Sequence, residues 1–208
     1  MTVLTKTFKE PPFCEREILR YAGCKEASED IAELLHSCVG EVRGKLTYKV
    51  CWCCFSVTVE NDVCDFGVFS VSSSGLTKCL ANSREVVIFG ATVGVEIDRL
   101  IARYSRISPS RALMLQAIGA ERIEALCDAF CDEVECNVRF SPGYGDLPLD
   151  TQRKIFDILN CGKRIGLTLN DSYLMSPSKS VTAFAVKGEK HNKCTTCQKT
   201  NCAYRGAI

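Results

Sequence analysis

Arg139-Phe140-Ser141-Pro142-Gly143-Tyr144-Gly145-Asp146-Leu147-Pro148 is the stretch on which the reading of the chain turns. It sets a permanently charged, planar donor ahead of a Pro-Gly turn, with an aromatic hydroxyl just behind. A guanidinium can hold a carboxylate through two parallel hydrogen bonds. Pro142 presets φ for the first central turn position, and Gly143 supplies the positive φ of a type II turn at the second. Without a Cβ, Gly143 also lets a ligand approach the backbone. Tyr144 adds a flat face and a polar tip. On spacing alone, a strand that ends in an ordinary Pro-Gly turn beside a surface Arg takes the larger share.

Upstream, Ser108-Pro109 is a helix start, a cap followed by Pro at the first helical position. The long helix behind it carries Ile123, Leu126, Cys127, Phe130 and Val134 as one apolar stripe. Glu121, Glu124, Asp128, Asp132 and Glu135 form an adjacent acidic stripe that leads into Arg139. Downstream, Asp150 caps a helix to about Asn160, which Gly162 ends, and 164–169 and 180–186 read as a closing pair of strands. Earlier in the chain, 15–20 and 28–38 read as helices. Residues 46–59 and 63–71 read as strands joined at Asn61-Asp62. Ser74 caps a short helix through Ala81, 85–92 is another strand, and a helix follows from Gly94. Helices and strands come in blocks, which argues α+β, an antiparallel β-sheet flanked by helices.

With 208 residues the chain suits one large domain or a domain with an appendage. We divide it into an α+β domain over 1–186 and a Cys-rich tail over 187–208. A net charge of +1 gives no electrostatic footprint for nucleic acid or an anionic membrane. The most apolar run, 50–59, is too short to span a bilayer. The N-terminus lacks the continuous apolar stretch of a signal peptide, so the expected compartment is the reducing cytoplasm. Fifteen cysteines there mean packing, metal or redox chemistry rather than disulfides.

Cys194, Cys197 and Cys202 stand in a polar tail where they have no packing role. Two cysteines two residues apart with a third close by form a thiolate tripod suited to zinc or an iron–sulfur cluster. A fourth ligand is missing from the run. His191, Cys161, a partner or an open position are the candidates. Cys51, Cys53 and Cys54, and the pair Cys127 and Cys131, read instead as small buried hydrophobes. His36 reads as a partly buried packing residue. The stretch 86–98 is strand, glycine-bearing turn and helix, but Gly90 and Gly94 lack the dinucleotide fingerprint spacing, so the turn is structural. With two histidines in the chain, no nucleophile–base arrangement assembles, which disfavours a hydrolase.

Taken together, Arg139-x-x-x-Gly143-Tyr144, the acidic helix before it and the strands after it resemble the activation domain of cobalamin-dependent methionine synthase. Further likenesses are Phe89 to Asp98, Leu113 to Ile118 with Glu124-Ala125, and the loop Leu169 to Val181. The resemblance runs from about Glu85 to Val186 and implies a free-standing, activation-domain-like protein. It implies a shallow groove for S-adenosylmethionine and docking on a cobalamin module whose cofactor has been oxidised to cob(II)alamin. One electron and one methyl group then restore methylcobalamin, with cobalamin supplied by the partner and the electron by a flavodoxin or ferredoxin. By the same resemblance, Arg139 grips the methionine carboxylate, and the backbone of Ser141 and Gly143 holds the adenosine. Glu124 assists the ligand's cationic end. Tyr144 faces the corrin, the position nearest to a catalytic role.

The chain departs from that family in places. The aspartate one turn before the helix glutamate is Ala120, and the tyrosine after the last strand has no counterpart in the tail. The cobalamin-binding pattern is not met around His36, where Leu34 and Val39 stand at its other positions. The expected activity is therefore that of a helper in methionine biosynthesis. The alternatives are a non-catalytic docking module for a corrinoid protein with a degraded groove, or a Cys-metal redox protein.

Overall fold

The computed structural model describes residues 2–24 and 26–187. Along them run β1 (Leu4–Phe8), α1 (Glu15–Tyr21), α2 (Glu29–Val42), β2 (Tyr48–Ser56), β3 (Thr58–Glu60), β4 (Val63–Asp65), β5 (Ser70–Ser72), α3 (Ser74–Leu80) and β6 (Glu85–Thr92). Then come α4 (Glu96–Ile107), α5 (Pro109–Glu133), β7 (Val138–Phe140), α6 (Thr151–Leu159), α7 (Cys161–Ile165), β8 (Thr168–Leu169), β9 (Met175–Ser176) and β10 (Ser180–Val186). The main sheet is antiparallel, in the order β1-β2-β6-β10-β7.

Strand periodicity explains why this sheet has two buried faces. In β6, Val87, Phe89 and Ala91 point into one core, while Val86 and Ile88 point into the other. The first core is closed by residues of α1, α2, α4 and α5, the second by α3, α6 and α7. The molecule is thus a three-layer α+β structure with the sheet in the middle, in agreement with the class read from the sequence. Phe130 of α5 anchors the first core, with the rings of Phe89 and Trp52 at 4.8 and 5.2 Å. In the second core, Gly90 leaves room for the thiols of Cys161 and Cys51, which meet at 3.8 Å.

Several local expectations need correction. Residues 46–59 and 63–71 are not two long strands. β2 is followed by a small sheet of β3, β4 and β5, whose hairpin turn has Asn61 and Asp62 both at positive φ. Ser73, not Ser74, caps α3, because its side chain accepts the Leu76 N–H. The helix after Gly94 begins at Glu96, and Ser108 and Asp150 precede their helices without a side-chain cap bond. Asn160, in the left-handed region, ends α6, whereas Gly162 lies inside α7. The expected closing pair of strands is not formed. Residues 164–165 are helical, β8 pairs with β9, and β10 pairs with β6 and β7.

Among the thiols, Cys51, Cys53, Cys127 and Cys131 are buried as expected, but Cys54 is exposed. His36 is not a packing residue. It is exposed and lies 3.2 Å from the Glu15 carboxylate. The turn after β6 is structural: Gly94 has φ of +82°, and a Cβ there would meet Thr47 Oγ1.

Candidate functional site

The ten residues that decide the sequence reading leave β7 at the sheet edge and turn back over α3. The Tyr144 N–H donates to the Ser141 carbonyl at 3.1 Å, and Gly143 takes φ of +81°. That is the turn the Pro142-Gly143 pair dictates. The Gly143 N–H donates to the Leu147 carbonyl and the Leu147 N–H to the Tyr144 carbonyl, which tightens the bend. Buried Pro142 and Leu147 root it in the protein, while Tyr144 stands half exposed with its ring edge-on to Phe140 at 5.4 Å.

A cavity of about 420 Å³ opens beside this bend. Arg139, Phe140 and Tyr144 line it from the strand and turn, Cys79 from α3, and Asp128, Cys131 and Asp132 from α5. A second cavity of similar size lies on the other side of the acidic residues, between α1 and α5, and shares Asp128 and Asp132 with the first. Glu124 lines the second cavity and not the first.

Arg139 is not the surface residue of the simplest reading, because its side chain is only 21% exposed. Nη2 donates to Glu124 Oε2 at 2.8 Å. Nη1 lies 2.9 Å from Asp128 Oδ1, but no aligned hydrogen bond forms there, which leaves a buried donor short of a partner. Burial works against its charge, and the groups at Cys127, Glu124, Asp128 and Cys131 outweigh that, so its pKa is raised and it stays cationic. The thiols nearby behave oppositely. Burial pushes Cys127 and Cys131 up, and Cys136 up to about 11, so at neutral pH they are uncharged. The thiols next to the guanidinium are therefore soft, neutral and weakly nucleophilic.

The acidic stripe is shorter than its sequence suggests. Glu121 is buried, accepting the Cys14 N–H at 3.1 Å and pairing with Arg122. Glu135 lies beyond the helix and pairs with Lys187 at 2.7 Å. Glu124, Asp128 and Asp132 remain as the acidic wall. Of the residues singled out, the structure thus brings Arg139, Tyr144 and Glu124 to one locality. Ser141 and Gly143 form the bend itself, and one polar backbone group of each is already used within it. Cys79 was missed, since nothing in a short helix of the preceding third signals a cavity wall. Asp128 and Asp132 were visible only as members of a stripe.

Cys194, Cys197, Cys202 and His191 lie outside the described residues. Cys161 is fully buried, with its thiol 3.8 Å from that of Cys51. Among the described residues no group of three His, Cys, Asp or Glu side chains is arranged to hold a metal. Among them, too, no helix is long and apolar enough to cross a membrane.

Fold and site together define a three-layer α+β module that places one arginine and the carboxylates of Asp128 and Asp132 along an open cavity. A model of the family described as vitamin B12 dependent methionine synthase, activation domain, matches residues 128–203, the part of the chain that holds the bend. The fold is similar to that of the MetH reactivation domain solved bound to AdoHcy. The TM-score is 0.69 and the identity 15%, over 90% of this chain and 78% of that one. The fold agrees with the resemblance read from the sequence, and the matched segment includes the bend.

Proposed function

We propose that the cavity at Arg139 binds S-adenosylmethionine, and that the chain serves as a reactivation module for a cobalamin-dependent methionine synthase. The observation that carries this reading is the incomplete pairing of Arg139. Its Nη1 is buried without an aligned acceptor, and its neighbour Asp128 has a side chain 70% exposed and able to swing away. A ligand carboxylate can take that position at the guanidinium with better geometry. Asp128 and Asp132, which line the cavity, then face the ammonium and the sulfonium, while Glu124 keeps its bond to Arg139 Nη2, so that no charge is left buried and alone. The similar domain's AdoHcy is a ligand with the same amino-acid end.

The work of the site is placement. Arg139 fixes one end of the ligand, the acidic wall orients the other, and neutral thiols near the methyl group do not compete for it. Cobalamin, carried by a partner protein, would supply the nucleophile for the methyl group, so no side chain here need be one. Tyr144, exposed at the mouth of the cavity, suits the face that meets the corrin. The electron donor, the cytoplasmic setting and the division at residue 187 belong to the same proposal. Zinc or an iron–sulfur cluster on Cys194, Cys197 and Cys202 also belongs to it and is checked by elemental analysis of anaerobically purified protein.

The test of the function mixes the protein with a cobalamin-carrying synthase core, a reductant and S-adenosylmethionine. Appearance of the methylcobalamin spectrum only when this chain is present supports the proposal. Docking on the core without any spectral change would favour the rival reading, a module whose groove is closed by the Arg139–Glu124 pair.

A further inference from the structure

We infer that Asp146 is a positioning residue, whose carboxylate ties the Arg139–Tyr144 bend to the start of α3 and so sets the width of the cavity offered to the S-adenosyl ligand. The inference rests on the proposed use of that cavity. Asp146 Oδ1 accepts from Ser73 Oγ at 2.6 Å and from the Gly75 N–H at 3.1 Å, and Oδ2 accepts from the Ser74 N–H at 2.6 Å. The Ser73 hydroxyl also accepts the Leu76 N–H at 3.0 Å, so one hydroxyl joins the helix cap to the bend. Three donors, one hydroxyl and two first-turn helix amides, converge on a carboxylate more than seventy residues away in sequence.

The consequence for the cavity follows from what lies between the two elements. A Cβ on Gly75 would come within 2.8 Å of Phe140 Cζ and 3.0 Å of Asp146 Oδ1, so α3 and the bend are in the closest contact a backbone allows. Phe140 adjoins Arg139 in sequence and packs edge-on against Tyr144. Cys79, one helical turn further along α3, is the cavity wall opposite. The carboxylate is exposed, so burial does not dictate its place. The hydrogen bonds do, and those from Ser73, Gly75 and Ser74 hold it well below the usual carboxylate range.

The experiment compares Asp146→Asn with Thr77→Val. Thr77, on the same short helix, gives its hydroxyl to Asp62 and to the Ser74 carbonyl, neither of them in the bend. Asn in place of Asp loses the charge and one of the acceptor oxygens. In calorimetric titrations with S-adenosylhomocysteine, Asp146→Asn should weaken binding about tenfold, the equivalent of one lost helix cap. Thr77→Val should stay within about twofold even if the melting temperature falls. Equal affinity for Asp146→Asn and wild type, or a loss in both variants that tracks stability, would overturn the role. Hydrogen exchange without ligand provides the second readout. The Gly143 and Leu147 amides should exchange faster in Asp146→Asn while those of α5 do not change. Unchanged exchange at the bend overturns the role whether or not the ligand binds. A wild type that binds no S-adenosyl ligand, with faster exchange in the variant, removes the function and leaves the tie.

Discussion

Arg122 and Arg139 both meet carboxylates of the same long helix, and they are handled in opposite ways. Arg122 is sealed. Its Nε donates to Glu121 Oε2 at 2.6 Å, its Nη1 and Nη2 donate to the carbonyls of Pro11 and Pro12 at 2.6 and 2.7 Å, and its plane lies 3.9 Å from the Phe13 ring centre. No part of it is exposed. Arg139 has one aligned acceptor, one misaligned neighbour and an open cavity at its side. The first is a strut that fastens the N-terminal segment to α5. The second, on the proposed function, holds charge in reserve for a ligand. The two differ both in burial and in completeness of hydrogen bonding, and the second difference is the one that leaves Arg139 a donor to offer.

The sharpest way to break this contrast is to delete each guanidinium. Arg122→Ala should cost about 3–5 kcal/mol of stability, because it leaves Glu121 buried without its cation. Chemical denaturation measures this, and a loss below about 1 kcal/mol would show that Arg122 is no strut. Gly75→Ala probes the seam under the bend. Overpacking against Phe140 should cost about 1–3 kcal/mol in the same assay and shift the Tyr144 resonances. Arg139→Ala should cost only about 1 kcal/mol of stability, since both of its carboxylates are partly exposed and can turn to water.

Alkaline pH gives the smallest effect. Burial pushes the thiols of Cys64 and Cys136 up to about 11 from an ordinary value of 9.0. Because the folded values are raised, the stabilisation they bring is whole below about pH 9 and is lost as pH rises through 11. Melting temperatures should therefore fall over that window. Cys136→Ser should flatten part of the decline, and an unchanged slope would mean that folding leaves the thiol's pKa at its unfolded value.

How far the sequence went is clear from particular residues. β6 was legible as a short continuous apolar run rich in β-branched residues, and α5 through its helically spaced apolar stripe. The bend was legible because Pro142 and Gly143 leave the backbone little choice. Residues 164–169 misled because Ile165 and Leu167 look like a strand, whereas a short helix ending at Gly166 buries both in the second core. Glu121 looked like one more acid on a solvated face. Only the chain path of Pro11 and Pro12, unknown from sequence, turns it inward with Arg122. Asp146 stood in the quoted stretch without a role, since its partners at Ser73 to Gly75 are brought to it by the fold.

The central claim is that Arg139 is an exchangeable carboxylate site and not a second strut. Calorimetric titration of S-adenosylmethionine into wild type and Arg139→Ala tests it most directly. Saturable 1:1 binding in the wild type that weakens at least about tenfold in the variant, with the fold intact by circular dichroism, is the predicted result. Equal affinity in both proteins, or no binding in the wild type, would contradict it.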